Sequence, residues 1–159
     1  MIFVTVGSQK FQFDRLIKKI DELVGSNIIS DQVIAQIGSS TYKPKNIKYY
    51  DFMDGMKFEN LMKEAEIVIT HGGTGVIVNA SKLGKKIIAI PRLKKYGEHV
   101  DDHQVQIVRQ FKEANLIEDV EDNIDELETK IREVRQKKYK KYKSNTIEII
   151  NDIIEFIEE

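Results

Sequence analysis

Short apolar runs alternate along this chain with stretches whose apolar residues recur every three or four positions. Ile2 to Val6 reads as a buried strand. Phe11, Phe13, Leu16, Ile17, Ile20, Leu23 and Val24 then recur at helical spacing, and Gly25-Ser26-Asn27 supplies a stop. Val33 to Ile37 is a second strand closed by Gly38-Ser39-Ser40, Pro44 marks a loop, and Ile47 to Phe52 is a third strand. Phe58 to Ala65 is a short helix, Ile67 to Thr70 a fourth strand, Val76 to Leu83 a helix and Ile87 to Ile90 a fifth strand. Pro91 ends that strand because proline cannot continue a ladder, and Val100 to Ala114 is a further helix. Strands alternating with helices predict an α/β fold, a parallel sheet covered on both faces. Beyond Asp119 charge dominates, yet Tyr142, Thr146, Ile149, Ile150, Ile153, Ile154 and Ile157 keep an apolar stripe at helical spacing. The expected division is therefore a sheet domain over 1–120 and a charged helical extension over 121–159.

Polar clusters fall where strands end. Val6-Gly7-Ser8-Gln9 follows the first strand, Thr70-His71-Gly72-Gly73-Thr74-Gly75 follows the fourth, and Asp101-Asp102-His103-Gln104 comes later. A strand, a glycine turn and a helix in succession aim backbone N–H groups and the positive helix end at a phosphate. Glycine lets that phosphate approach without a Cβ in the way. Such clusters predict a ligand site on the carboxyl edge of the sheet, with a nucleotide diphosphate as the ligand. The turn is neither a Walker A sequence nor a Gly-x-Gly-x-x-Gly fingerprint. Taken alone it reads equally as a tight strand-to-helix connection.

Composition narrows the classes. The 159 residues suit one domain, and 25 basic against 26 acidic residues leave no nucleic-acid footprint. The absence of cysteine excludes disulfides, thiolate nucleophiles and cysteine-based zinc sites. Met1 leads straight into the first strand, and no apolar run approaches the roughly 20 residues that span a bilayer. A cytoplasmic protein is the expectation. His99 and His103 stand four apart, a spacing that shares one helix face, but no third ligand accompanies them and no metal is expected.

The ordered set His71-Gly72-Gly73-Thr74-Gly75, Gly84 to Pro91 and Asp102-His103-Gln104 resembles the glycosyltransferase family 28 C-terminal domain. Phe3 to Gln9 with Phe13-Asp14-Arg15-Leu16 is similar to its small stand-alone members, and the likeness covers roughly residues 1 to 120. The resemblance implies a Rossmann-like sheet flanked by helices, the donor-binding C-terminal half of a GT-B glycosyltransferase. It implies a UDP-sugar as substrate, no cofactor beyond it, and a membrane-associated partner subunit that holds a lipid-linked sugar acceptor. The partner would recruit this chain to the cytoplasmic face of the membrane, in capsule, exopolysaccharide or other cell-surface glycan synthesis. Activity would need both subunits. A non-catalytic subunit that stimulates a partner transferase is the alternative.

The resemblance also assigns residues. Gly7, Ser8 and Gln9 approach the donor phosphates, Gly72, Gly73, Thr74 and Gly75 bind the diphosphate, and Met53 reads the base through its backbone. Asp102, His103 and Gln104 face the sugar and phosphates, with Gln104 the foremost contact; helix capping by Asp101 or Asp102 is compatible with that. Asn79 stands where many members carry a ribose-binding glutamate, a shorter and uncharged replacement. His71 is either a diphosphate ligand or a loop-edge histidine, and the catalytic residue is otherwise unassigned. The general base must reach the acceptor hydroxyl and so belongs with the partner. Arg135 to Lys143, basic with interleaved tyrosines, is a solvated face or a contact for anionic lipid.

Overall fold

The computed structural model describes residues 1–143. Six strands, β1 (Ile2–Thr5), β2 (Val33–Gln36), β3 (Lys48–Tyr50), β4 (Ile67–His71), β5 (Lys86–Ile90) and β6 (Glu118–Asp119), form one sheet in the order β3-β2-β1-β4-β5-β6. Every neighbouring pair is parallel. The helices are α1 (Asp14–Gly25), α2 (Gly55–Glu64), α3 (Thr74–Lys82), α4 (His103–Glu113) and α5 (Leu127–Gln136).

The apolar runs are continuous because both faces of the sheet are covered. Ile2, Val4, Ile67, Ile69, Ile88 and Ile90 point to one face and pack with Leu16, Ile17, Ile20 and Leu23 of α1. Leu127, Ile131 and Val134 of α5 join that same core. Phe3, Val68, Ile87 and Ala89 point the other way, against Leu61 and Met62 of α2, Ile77 and Ala80 of α3, and Val108 and Phe111 of α4. Each fully buried Leu, Ile or Phe stabilises the fold by roughly 1.5–3 kcal/mol.

Several boundaries differ from expectation. α2 begins at Gly55, three residues early, because Asp54 caps it by accepting the Lys57 N–H at 2.8 Å. α4 begins at His103 rather than near Val100, since residues 94–100 are tied into a loop: a 3-10 turn over Lys94–Tyr96 and the Glu98 carboxylate, which accepts the Leu93 N–H at 3.0 Å. The pair His99 and His103 therefore shares no helix face. β6 was not expected; its two paired residues are too few to set up a pattern. No helix among the described residues is long and apolar enough to cross a membrane. From the stripe in the extension, Tyr142 is described, and Thr146 to Ile157 lie outside the described residues.

Glu118 of β6 anchors the segment after α5. Its carboxylate is 1% exposed and meets Lys112 Nζ at 2.5 Å, Tyr139 Oη at 2.5 Å, Lys137 Nζ at 3.4 Å and Lys130 Nζ at 3.6 Å. Further along, Lys140 N donates to Asn115 O and Tyr142 N to Ser81 Oγ, so residues 137–143, which leave the helical path after α5, are tied to the domain. Burial pushes the Glu118 pKa up, but the hydrogen bonds from Lys112 and Tyr139 and the charges of Lys112 and Lys137 outweigh it and hold the pKa at about 2. A carboxylate whose folded pKa lies below its unfolded value stabilises the fold above the unfolded value and loses that contribution as pH falls toward the folded one. Urea denaturation should show wild type more stable than Glu118→Gln by on the order of 2 kcal/mol at pH 7, the difference fading between about pH 4.5 and pH 2.

Candidate functional site

The strand order reverses direction between β1 and β4, which lie side by side with Thr5 opposite Thr70. Connections leave such a switch point on opposite faces, so a crevice opens at the carboxyl ends of the two strands. Both glycine turns, Gly7 after β1 and Gly72-Gly73 after β4, are located there. The floor is a buried polar network. Thr70 Oγ1 donates to Thr5 O at 2.8 Å, and Thr5 Oγ1 donates to Gln36 Oε1 at 2.6 Å. Gln36 Nε2 in turn donates to Gly7 O and Asp51 O, each at 3.0 Å.

His71, the last residue of β4, is 4% exposed. Its ring lies between the two turns: a Cβ on Gly7 would stand 2.6 Å from Nε2, and one on Gly73 would stand 2.5 Å from it. Gly7 also carries φ +78°, a conformation that favours glycine. A Cβ on Gly72 would meet Gln104 Cβ at 2.7 Å, whereas one on Gly75 would meet nothing within 4 Å. The glycines thus have different reasons. Gly7 and Gly73 admit the imidazole, Gly72 admits α4, and Gly75 leaves the first turn of α3 open.

Gln104 fixes the state of that imidazole. Its Oε1 accepts from Gly72 N and from Arg92 N, each at 3.0 Å, so the amide nitrogen is the end that faces His71 Nδ1 at 3.2 Å. An amide nitrogen only donates, so Nδ1 accepts and the ring proton resides on Nε2. Burial pushes the His71 pKa down to about 3, the positive charge of Arg92 adds to this, and the bond that Gln104 donates to Nδ1 favours the same neutral form. His71 is therefore a neutral donor whose N–H points into the gap between the glycines.

The other expected residues divide. Ser8, Gln9 and Gly75 are exposed, Gly7, Gly73 and Thr74 are half-buried, and all stand at the crevice turns. No side chain caps α3, whose N-cap is Gly73, so its first-turn N–H groups are open donors. Gly72 N is spent on Gln104 and is not among them. Gln104 is 5% exposed and most of its hydrogen-bonding capacity is used internally, which makes it a support of the site. Asp102 and His103 are exposed at the start of α4; Asp102 accepts the Lys94 N–H at 2.9 Å and Asp101 accepts the His103 N–H at 3.0 Å. Asn79 is half-buried along α3 and its amide donates to Glu59 Oε1 of α2 at 3.2 Å, which sets a carboxylate beside it. Met53 is half-buried between β3 and α2, packed on the second core cluster. The basic run is split: Arg135 pairs with Asp31 at 2.7 Å, while Lys138, Lys140 and Lys141 line a cavity of about 230 Å³ with Lys85 and Lys86 at the opposite edge of the sheet.

Sequence reasoning missed Gln36 and Arg92. Both are buried polar residues, Gln36 at the end of β2 and Arg92 two residues beyond β5, and that position is the signal that points to them.

A doubly wound parallel sheet with its crevice at the β1/β4 switch point is the architecture of one half of a GT-B glycosyltransferase. The chain belongs to the family described as the glycosyltransferase family 28 C-terminal domain, whose profile matches residues 1–157. It is similar to the Homo sapiens UDP-N-acetylglucosamine transferase subunit ALG13, with 30% identity over 130 residues, 72% of this chain and 10% of that protein. The chain spans about a tenth of the length of the mammalian relatives it matches. Its fold is similar to the solution structure of ALG13, with a TM-score of 0.60 at 20% identity over 88% of this chain and 87% of that one. It is likewise similar to Acinetobacter baumannii MurG, with a TM-score of 0.58 at 13% identity over 96% of this chain and 49% of that one.

NMR of imidazole-labelled protein should show His71 with the proton on Nε2 and no titration between pH 8 and pH 5, where a free histidine titrates near 6.5.

Proposed function

We propose that this chain is the donor-binding subunit of a two-part inverting glycosyltransferase, holding a UDP-sugar in the β1/β4 crevice. The observation that carries the reading is the meeting of two kinds of unspent donor at the switch point: the uncapped first turn of α3 and the Nε2–H of neutral His71. A diphosphate lying over these donors receives hydrogen bonds and the positive end of a helix. The relatives named for UDP-N-acetylglucosamine transfer support a UDP-sugar as the donor.

As the bond from the anomeric carbon to the diphosphate breaks, charge grows on the departing oxygen. Preorganised donors act most strongly where such charge develops. His71 serves there as a hydrogen-bond donor. With a pKa of about 3 it is a poor base at neutral pH, so the proton of the acceptor hydroxyl goes to a group on the partner. The partner is a membrane-associated transferase subunit presenting a lipid-linked sugar. This chain works with it at the cytoplasmic face in the synthesis of capsule, exopolysaccharide or a related cell-surface glycan.

Calorimetric titration of UDP, with the chain alone and with its partner, tests the reading. Thr74→Pro is a suitable variant. Proline is tolerated at the first helical position, and Gly73 before it, at φ −83° and ψ 119°, has the extended backbone that precedes proline readily. It removes one N–H and the Thr74 hydroxyl while leaving the helix. Saturable binding, weakened roughly tenfold in Thr74→Pro, is expected. Absence of UDP binding in both forms would contradict the reading and leave a purely stimulatory subunit.

A further inference from the structure

Arg92, two residues beyond β5, has the largest fully buried side chain among the described residues. Nη2 donates to Val6 O at 2.6 Å, and Nη1 donates to Phe11 O at 3.1 Å, Gln12 O at 3.3 Å and Glu98 O at 3.2 Å. The guanidinium lies 5.0 Å from the centre of the Phe13 ring, and Nε has no partner. The nearby carboxylate does not reach it. Glu98, wholly buried, binds Arg15 Nε and Nη2 at 3.0 Å each and accepts the Leu93 N–H at 3.0 Å.

The one carboxylate nearby is thus bound by Arg15, and the Arg92 charge is left in the interior with carbonyl oxygens as its hydrogen-bond partners. An incompletely paired buried charge is costly. Burial lowers the Arg92 pKa to about 10 against the attraction of Glu98, so the group is charged at neutral pH.

The contacts of Arg92 join the two halves of the crevice. Three of its four carbonyl partners, Val6, Phe11 and Gln12, flank the first glycine turn on either side. Its own N–H goes to the Gln104 oxygen that also holds Gly72 in the second turn. Resting on the donor-site reading above, we propose that Arg92 is a positioning residue that registers the first glycine turn against the second and places a buried positive charge behind the diphosphate. Lysine cannot reproduce this, because one ammonium does not span four carbonyls in a planar fork.

The test compares Arg92→Met and Arg92→Lys with wild type in NMR titrations of UDP and of uncharged uridine, with amide exchange read in the same samples. In Arg92→Met, UDP affinity is expected to fall roughly tenfold or more while uridine affinity changes less than about threefold. Arg92→Lys should lie between, its charge kept and its fork lost. Exchange should speed up at residues 7–12 and stay slow in β4 and β5. Unchanged UDP affinity in both variants would overturn the proposal. Equal losses for UDP and uridine with faster exchange throughout the sheet would overturn it too, since Arg92 would then only hold the fold together. If Arg92→Met does not fold, Arg92→Lys decides by the same two ratios. If wild type binds neither ligand, the donor-site reading fails and the charge role with it; exchange at residues 7–12 then decides the positioning role alone.

Discussion

One side-chain amide sets the geometry of the crevice. Gln104 reaches from the start of α4 to the ends of two strands and accepts from Gly72 N after β4 and Arg92 N after β5. Two buried backbone donors that strand pairing leaves over are satisfied by one oxygen. The same amide donates to His71 Nδ1 and thereby puts the imidazole proton on the side that faces the cleft. An isolated change at Gln104 would leave buried donors unpaired and free the tautomer together. In a low-dielectric network of this kind the members support one another.

The sheet makes that amide effective. Its strands β1, β2, β4 and β5 are short and buried on both faces, so their ends are fixed by core packing. Turns leaving adjacent strands at the switch point then face each other at a set distance. Gly7 and Gly73 both close on the Nε2 edge of the His71 ring, and the Thr5, Gln36 and Thr70 network ties the first turn to β2 and β4. The outcome is a row of donors along one edge of the sheet.

Much of this was legible in the sequence for a definite reason. In a parallel sheet covered on both faces a strand is an unbroken apolar run, so Ile2 to Val6 and Ile67 to Ile69 announce themselves. Glycine after such a run lets a ligand approach the backbone, and on that basis the two turns read as phosphate sites, while their packing against His71 and Gln104 is not visible in the sequence. What escaped was set by long-range polar contacts. The start of α4 depends on Glu98 and Arg92, whose partners include Arg15 and Val6 far earlier in the chain. The segment after α5 leaves the helix where buried Glu118 gathers Lys112, Lys137 and Tyr139, a preference that helical periodicity does not report. The resemblance implies Gln104 as a contact to sugar and phosphates, whereas its contacts with Gly72, Arg92 and His71 show that its amide is spent in holding the site.

Amide perturbation in the full chain on addition of UDP is the most direct measurement of the central claim. The account predicts saturable shifts concentrated at Gly7, Gly73, Thr74 and Gly75, with the His71 Nε2–H resonance moving alongside them. Shifts clustered instead at the lysine-lined cavity around Lys85 and Lys141, or spread without saturation, would contradict it.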